Sequence, residues 1–168
     1  MIAAVDAGPT LETPRFLVTI QEADFDIAKL QNWLLAGAAA EGATATFTGY
    51  VRAEKGTDPI QAMHLEHYPG MTEHCIGTIV EQALRRWPVT AVRVVHRVGH
   101  LQLGEQIVWV GVSAAHRAAA FSACEFIMDY LKAEAPLWKK VIRKSGEHWV
   151  EAKNSDSERA NRWQDDAS

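Results

Sequence analysis

The sequence predicts a mixed α+β fold for this 168-residue chain. Short runs of β-type residues are separated by three segments with helical spacing, and they do not alternate with helices as regularly as in a βαβ sheet. Hydrophobic residues make up 48% of the chain and charged residues 23%, which is typical of a globular domain. A chain of this length buries enough surface to fold around its own core without disulfides.

The N-terminal half is predicted to hold three strands and two helices after a flexible extension. Residues 1–14 contain two prolines and no sustained periodicity, so we expect them to form that extension. Alternating or β-branched residues predict the strands, and apolar residues three or four positions apart predict the helices. In chain order these elements are a strand over Arg15–Ile20, a helix capped by Asp24 or Asp26 that ends toward Gly37, a strand over Thr46–Arg52 interrupted by Gly49, a strand over Ile60–Tyr68 and a helix over Met71–Trp87.

The C-terminal half is predicted to hold four strands, one helix and a polar tail. In chain order these elements are strands over Val92–Val98 and Gln106–Val112, a helix over Ala115–Ala133 with Ser113 as its N-cap, and a hairpin near a sheet edge formed by Leu137–Lys144 and Glu147–Ala152. The helix is expected to bury an apolar stripe made of Phe121, Cys124, Ile127, Met128 and Leu131. We therefore predict a single domain over residues 15–152 and a polar tail, residues 153–168, that is mobile or ordered by a partner. Trp163 is the only large apolar residue of that tail.

The formal net charge of −4 excludes a general binder of nucleic acids or membrane surfaces, which would be strongly basic. No apolar run approaches the roughly 20 residues that span a bilayer. The first residues lack the basic and apolar regions of a secretory signal, so we expect a cytoplasmic protein. Cys75 and Cys124 are far apart and lack the spacing of a zinc site, so we expect both to be buried apolar residues on helices.

Positive charge is concentrated in one segment. Residues 132–144 carry a net charge of +4, while the rest of the chain carries −8. Such a segment can bind a phosphorylated or carboxylated small molecule, or it can be a solvated strand face with a basic turn, and the sequence leaves both open. Neighbouring cations lower the pKa of a lysine and make its amine available at neutral pH. Lys132 and Lys139 are the lysines best placed to share a cleft.

Two further positions are candidates for binding an anion. His116 and Arg117 open a helix directly after a strand, where free backbone N–H groups and the Arg117 side chain attract phosphate. A first helical turn exposed to solvent is an equally acceptable interpretation of this pair. Arg52 ends the strand that contains Gly49, and that glycine either allows a ligand close to the backbone or marks a bulge.

The seven histidines do not form a metal motif in the sequence. His64 and His67 are three residues apart on a predicted strand and so point to opposite faces, and no His-Glu-x-x-His motif is present. A histidine-based metallohydrolase therefore finds little support, and we expect no metal and no cofactor. Glycine-rich phosphate loops and the Gly-x-Ser-x-Gly motif of serine hydrolases are also missing from the sequence.

Seven short blocks lie between residues 43 and 153, namely Phe47–Arg52, Leu65–Met71, His96–Gly99, Val110–Arg117, Phe126–Lys132, Ala135–Lys139 and Trp149–Ala152. In order and spacing they resemble the large catalytic subunit of molybdopterin synthase, the MoaE-type family. No single block would identify the family, but seven blocks in register make chance a poor explanation.

The resemblance implies an α/β-hammerhead fold with mixed and antiparallel sheets and three main helices. It also implies a homodimer that binds a small β-grasp sulfur carrier at each end, which gives a heterotetramer. The implied enzyme is a sulfurtransferase. It converts cyclic pyranopterin monophosphate into molybdopterin, in molybdenum cofactor biosynthesis, with sulfur from the carrier's C-terminal Gly-Gly thiocarboxylate.

The family's motifs also imply which residues form the site. Lys132 and Lys139 match the active-site lysines. The implied substrate-binding set is Tyr50, Val51, Arg52, His116, Arg117, Lys132, Lys139, Lys140 and Val141, of which His116 and Arg117 come from the neighbouring subunit of the dimer.

Lys132 is expected to be the principal acid/base or a transient nucleophilic amine, and Lys139 to orient phosphate or the carrier's carboxylate. Family members often have an acidic residue where this chain has Val141, so position 141 can contribute only shape or backbone contact here. The alternative function is a non-catalytic scaffold or binding module of the same fold with an impaired pocket. Val141 is the one local feature that favours this alternative.

Overall fold

The structure is a computed structural model that describes residues 15–36, 39–151 and 153–165. These residues form eight strands and four helices. The strands are β1 (Arg15–Gln21), β2 (Ala43–Tyr50), β3 (Ile60–His67), β4 (Val89–Arg97), β5 (Gly99–Gln102), β6 (Gln106–Ala114), β7 (Leu137–Arg143) and β8 (Gly146–Val150). The helices are α1 (Ile27–Leu34), α2 (Met71–Arg86), α3 (Arg117–Glu134) and α4 (Asn154–Asp165).

The strands form two four-stranded sheets. The first sheet has the order β1-β4-β6-β2, in which β1 runs parallel to β4 and the other pairs are antiparallel. The second sheet has the order β5-β3-β7-β8 and is antiparallel throughout. The predicted mixed fold class is therefore confirmed, and so is the hairpin at a sheet edge, because among the described strands β8 pairs only with β7.

The first sheet carries helices on both faces. Alternating valines of β4 and β6 pack against the apolar sides of α2 and α3, around the fully buried Phe126. On the opposite face, Leu34 of α1 packs on the fully buried Trp109. A Cβ at Gly111 would lie 2.2 Å from the Trp109 ring, so only glycine fits at this point of β6. A smaller cluster around Met63 and Leu101 joins the second sheet to the first.

Several local predictions are confirmed. Asp26 caps α1, where its side chain accepts hydrogen bonds from the backbone N–H groups of Ala28 and Lys29. The register between β2 and β6 shifts between Gly49 and Tyr50, so the glycine marks a bulge. No helix in the described part of the chain is long and apolar enough to cross a membrane.

Two predictions for α3 are wrong. Ser113 does not cap the helix, because it lies buried within β6, where its hydroxyl is 2.8 Å from the Thr90 hydroxyl, and His116 occupies the cap position instead. Phe121 does not belong to the buried stripe, because 65% of its side chain is exposed. Ala119 and Ala120, in the same turns of α3, are buried in the core, so Phe121 lies outside the packed face of the helix.

The expectation of a loose C-terminal tail is also wrong for residues 154–165, which form α4 and pack along α3. Trp163 is buried and makes edge contacts with the rings of Trp87 and Phe126, each with a centroid distance of 5.6 Å. The extension predicted for residues 1–14 lies outside the described residues.

Candidate functional site

Lys139 is half-buried in the middle of β7. It lies opposite Leu65 of β3 on one side and Val150 of β8 on the other, so its strand neighbours are apolar. Since side chains alternate along a strand, Val141 shares its face and Lys140 points to the other. The second sheet therefore holds the Lys139 amine at a fixed place on its inner side.

The pKa of Lys139 is lowered from its ordinary value. Burial is the largest cause, because it disfavours the charged ammonium, and the nearby positive charges of Lys132 and Lys153 add to it. The negative charges of Asp156 and Glu54 act in the opposite direction but do not cancel the effect. Part of the Lys139 population is therefore a neutral amine at a lower pH than for an exposed lysine.

Lys132 lies in the last turn of α3, where its exposed side chain lines a cavity of about 680 Å³. The cavity is formed by β2, α3 and α4, and its lining combines an apolar floor with a charged rim. Phe47, Phe121 and Met128 belong to the floor, and Lys132, Asp156 and Arg159 to the rim. Lys132 is close enough to Lys139 for its charge to act on the pKa of that lysine, but Lys139 is not among the described residues that line the cavity.

The rest of the cationic run does not reach this place. Nζ of Lys140 is 2.6 Å from a carboxylate oxygen of Glu147 and 5.4 Å from the centre of the Trp149 ring, on the outer face of the sheet. Arg143 forms an ion pair of 2.7 Å with Glu54. The +4 segment is therefore divided by the pleat of β7 and by acidic partners distant in sequence, and Lys140 does not share a face with Lys139.

The run Tyr50–Arg52 lies where β2 ends. Val51 is buried, and its backbone is already engaged: its N–H donates to the Glu105 carbonyl at 2.9 Å, and its own carbonyl accepts from Gly104 at 2.8 Å. The side chains of Tyr50 and Arg52 are exposed. Arg52 lies two residues before Glu54, one of the carboxylates that act on Lys139, so this loop borders the lysine site.

His116 and Arg117 lie at the opposite end of α3 from Lys132. Arg117 is fifteen residues before Lys132, which is about 22 Å along the helix axis. His116 makes no side-chain capping bond to the helix, and both side chains are exposed. One copy of the chain therefore does not bring this pair to the two lysines.

A charged cluster between α3 and α4 was not predicted from the sequence. The buried carboxylate of Asp129 accepts hydrogen bonds from Arg159 and Arg162 of α4 and from the indole N–H of Trp163. Lys153 and Asp156, which act on Lys139, also belong to this C-terminal segment. The one available signal was the helical spacing of Arg159, Arg162 and Trp163 in an otherwise polar stretch.

The described residues contain no group of three or more His, Cys, Asp or Glu side chains placed to hold a metal ion. His64 lies beside Glu66 at 3.5 Å and His67 beside Glu73 at 3.7 Å, so each of the two has a separate carboxylate neighbour. His96 is deeply buried, and burial lowers its pKa to about 4.

Comparison with known proteins identifies the family. A family model described as "MoaE protein" matches residues 20–134, which is more than half of the chain. The chain belongs to the MoaE family. The molybdopterin synthase catalytic subunit of Vibrio cholerae is 49% identical to this MoaE-family chain over 147 residues, covering 88% of this chain and 97% of the relative.

Solved structures give the same result for the fold. The molybdopterin biosynthesis MoaE protein from Burkholderia ambifaria is 47% identical, with a TM-score of 0.75 over 88% of this chain and 97% of that chain. A protein–protein complex of subunits 1 and 2 of the molybdopterin-converting factor from Helicobacter pylori has a TM-score of 0.68 at 20% identity, over 81% of this chain and 91% of that chain, and so supports the fold alone. The predicted MoaE family membership is confirmed, and with it the prediction of an enzyme.

Proposed function

We propose that this MoaE-family chain is the catalytic subunit of a molybdopterin synthase and has a role in molybdopterin biosynthesis. The reaction we propose is sulfur transfer to cyclic pyranopterin monophosphate from the C-terminal thiocarboxylate of a small β-grasp carrier. The observation that carries the proposal is the half-buried Lys139, whose pKa is lowered by burial and by Lys132 and Lys153. A scaffold with no chemistry to perform would have no need for a desolvated lysine among other cations.

The two lysines are suited to different parts of this reaction. The carrier's thiocarboxylate sulfur would bond to a carbon of the substrate as a carbon–oxygen bond at that carbon breaks, and the departing oxygen would take up a proton. Water would then cleave the bond between that sulfur and the carrier's acyl carbon. Sulfur stays on the substrate, and the carrier leaves as a carboxylate. Formation of the carbon–sulfur bond brings two anions together, so it needs cations nearby. Hydrolysis of the acyl–sulfur bond needs a group that accepts a proton from water.

The structure favours a changed division of roles. Because its pKa is lowered, Lys139 is the better candidate for the neutral amine that takes up a proton. Lys132, exposed at the cavity rim, is the better candidate for a cation that attracts the carrier's thiocarboxylate or the substrate phosphate. The sequence-based hypothesis assigned these roles the other way round.

A complete site is proposed to need a second copy of the chain. The resemblance supplies the equivalents of His116 and Arg117 from the neighbouring subunit, and in one chain they lie about 22 Å from Lys132 along α3. An exposed guanidinium at a helix N-terminus is suited to bind a phosphate. We therefore propose a homodimer with a carrier bound at each end, and Arg52 and Tyr50 as further substrate contacts. Location in the cytoplasm remains a prediction.

The position of Val141 does not support the alternative of a non-catalytic scaffold. This side chain is buried, opposite Met63 of β3 and His148 of β8, and fills a core position on the same face as Lys139. An acidic residue here would lie within the sheet's apolar packing, so valine preserves the support of the site without supplying a carboxylate.

The direct test mixes the purified chain with a thiocarboxylated carrier and cyclic pyranopterin monophosphate and assays for the dithiolene. We expect dithiolene from the unmodified chain, a large loss in the Lys139→Ala and Lys132→Ala variants, and no loss in Lys29→Ala, which alters an exposed lysine on α1. No product with a carrier proven on another synthase would favour the scaffold. Product at the parent rate from either site variant would reject that lysine's role.

A further inference from the structure

The carboxylate of Asp129 is the centre of the contact between α3 and α4. It is only 7% exposed, and it accepts hydrogen bonds from Nε of Arg159 at 3.1 Å, from Nη2 of Arg162 at 2.8 Å and from Nε1 of Trp163 at 2.8 Å. All three donors come from α4. Burial alone would raise the pKa of Asp129, but these donors outweigh burial and hold the pKa below its ordinary value.

Other contacts support the same docking without replacing it. Glu125, one turn earlier on α3, forms ion pairs with Arg159 at 3.1 Å and with Arg162 at 2.6 Å, but it is about half exposed. Exposed ion pairs contribute little, whereas a buried carboxylate with three donors is costly to disturb. The Trp163 ring packs in the aromatic cluster, which fixes the far end of α4. The hydrogen bonds to Asp129 are therefore the polar contacts that matter most for the orientation of α4.

The near end of α4 reaches the lysine site. Asp156 and Arg159 line the same cavity as Lys132. Lys153, immediately before the helix, and Asp156, in its first turn, both act on the charge of Lys139. The charged groups that act on Lys139 are thus Lys132 from α3, Lys153 and Asp156 from the α4 segment and Glu54 from the loop after β2.

We propose that Asp129 is a positioning residue: by anchoring α4 to α3 it keeps Lys153 and Asp156 beside Lys139. Asp129 does not touch the reacting groups and acts through the helix that it holds. Its consequence for catalysis rests on the proposed function, but its effect on the protonation of Lys139 does not.

If the anchor is removed, α4 is expected to loosen from α3, and its first turn moves with it. Lys139 then loses the nearby cation of Lys153 and part of its burial, and it also loses the opposing charge of Asp156. Burial is the largest cause of the lowered pKa, and Lys153 acts more strongly than Asp156. The pKa of Lys139 should therefore rise toward its ordinary value, and less neutral amine should be present at neutral pH.

The test measures the rate at which an amine-acylating reagent labels Lys139 as a function of pH, by peptide mass spectrometry on the full chain. The midpoint of the curve reports the protonation of the amine, and its plateau reports access to it, so a merely looser structure changes only the plateau. Hydrogen exchange of residues 154–165 in the same samples reports whether α4 is docked. Neither measurement needs carrier or substrate.

The main variant is Asp129→Asn, which keeps the size of the side chain and removes its charge. The double variant Arg159→Gln with Arg162→Gln removes two of the donors from exposed positions, and it decides the question if Asp129→Asn does not fold. Lys153→Met leaves the helix docked and removes only the neighbouring cation, while Lys153→Arg should restore it. Arg85→Gln, an exposed change in the last turn of α2, is the matched control.

We expect faster exchange of α4 in the anchor variants, a labelling midpoint for Lys139 at higher pH, and a severalfold lower labelling rate at neutral pH. Lys153→Met should shift the midpoint in the same direction without faster exchange. Unchanged exchange in the anchor variants would overturn the proposal, and so would faster exchange with an unchanged midpoint. If the midpoint shifts but the unmodified chain makes no dithiolene, the proposed function fails and the positioning role stands.

Discussion

The two ends of α3 differ in the contacts that their charged side chains make within one chain. At the C-terminal end, Asp129 and Lys132 lie against α4, β2 and the lysine of β7, and each charged group has neighbours within the chain. At the N-terminal end, His116, Arg117 and Phe121 are exposed, and the described residues place no ion pair on Arg117. Both ends carry residues that the family resemblance assigns to the site.

This difference teaches how the proposed site is divided between copies of the chain. The C-terminal end of α3 with Lys132 and the nearby Lys139, the lysine end, is built by contacts within one chain and should keep its properties in a monomer. The N-terminal end of α3 with Arg117, the arginine end, is a helix terminus of a kind suited to phosphate, beside an exposed aromatic ring, and these features suit contact with another molecule.

The largest effect is expected from Lys139→Met compared with Lys140→Met. Loss of a general acid/base group lowers the rate by about a hundredfold or more, whereas Lys140 lies on the other face of β7 with Glu147, so its loss should cost less than about threefold. The measurement is single-turnover dithiolene formation with thiocarboxylated carrier. Equal effects of the two substitutions would contradict the division of β7 into two faces.

The pH dependence of the same rate sharpens this comparison. Because the pKa of Lys139 is lowered in the folded chain, the neutral amine accumulates as the pH rises through a range below that of an exposed lysine. The rate should therefore increase with pH and level off before the ordinary lysine range. In Lys153→Met the rise should move to higher pH. If the rate of that variant rises over the same pH range as the parent rate, Lys153 does not influence the pKa of the reacting amine.

A smaller effect is expected from Arg117→Ala. Removing a charged donor to phosphate costs about 1.5–3 kcal/mol, or roughly a ten- to hundredfold loss in kcat/KM. The loss should appear mainly in KM for cyclic pyranopterin monophosphate, and the pH profile should remain that of the parent. Arg15→Ala, on the edge strand β1, serves as the control. A shifted pH profile would place Arg117 at the lysine end and contradict the account.

Trp163→Ala should act directly on the packing of α4 and not on the reacting groups. The ring is buried against Trp87 and Phe126, and truncating a buried tryptophan costs about 3 kcal/mol or more when the surroundings do not relax. We expect a lower free energy of unfolding in urea and faster hydrogen exchange in α4. The matched control is Trp138→Ala, because Trp138 is 49% exposed on β7. Equal stability of the two variants would mean that α4 is not docked in solution.

Phe121→Ser should have the smallest effect on stability. Its side chain is 65% exposed, so the free energy of unfolding should change by no more than about 0.5 kcal/mol at concentrations where the chain is monomeric. We expect weaker self-association in sedimentation velocity, because Phe121 contributes apolar surface near Arg117. Phe16→Ser alters another exposed aromatic residue, on β1, and should leave self-association unchanged. Equal self-association of the two variants would show that Phe121 does not contribute to the proposed dimer contact.

The sequence was a good guide wherever a local pattern decides the structure. The Asp26 cap, the Gly49 bulge, α2 and the β7–β8 hairpin follow from capping, turn chemistry and periodicity within a few residues. The pairing of Lys132 with Lys139 was predicted because only a short turn around Pro136 separates α3 from β7. These features depend on near neighbours in the chain, which a sequence displays directly.

The failures all depend on distant partners. The acidic residues that neutralise Lys140 and Arg143 come from β8 and from the loop after β2. Periodicity placed Phe121 on the apolar side of α3 but could not show where the packed face of the helix ends. The polar composition of α4 concealed that Asp129 and the Trp87–Phe126 cluster would hold it in place.

The most direct test of a site divided between two chains is complementation between two impaired variants, assayed at a substrate concentration well below the KM of Arg117→Ala. Arg117→Ala and Lys139→Ala chains would be unfolded, mixed in equal amounts, refolded and assayed for dithiolene formation with thiocarboxylated carrier, against each variant refolded alone. If the arginine end of one chain serves the lysine end of another, half of the dimers are mixed and each contains one intact site, so about a quarter of the parent activity should return. No recovery above the separate variants, with mixed dimers demonstrated by mass spectrometry, would contradict the account.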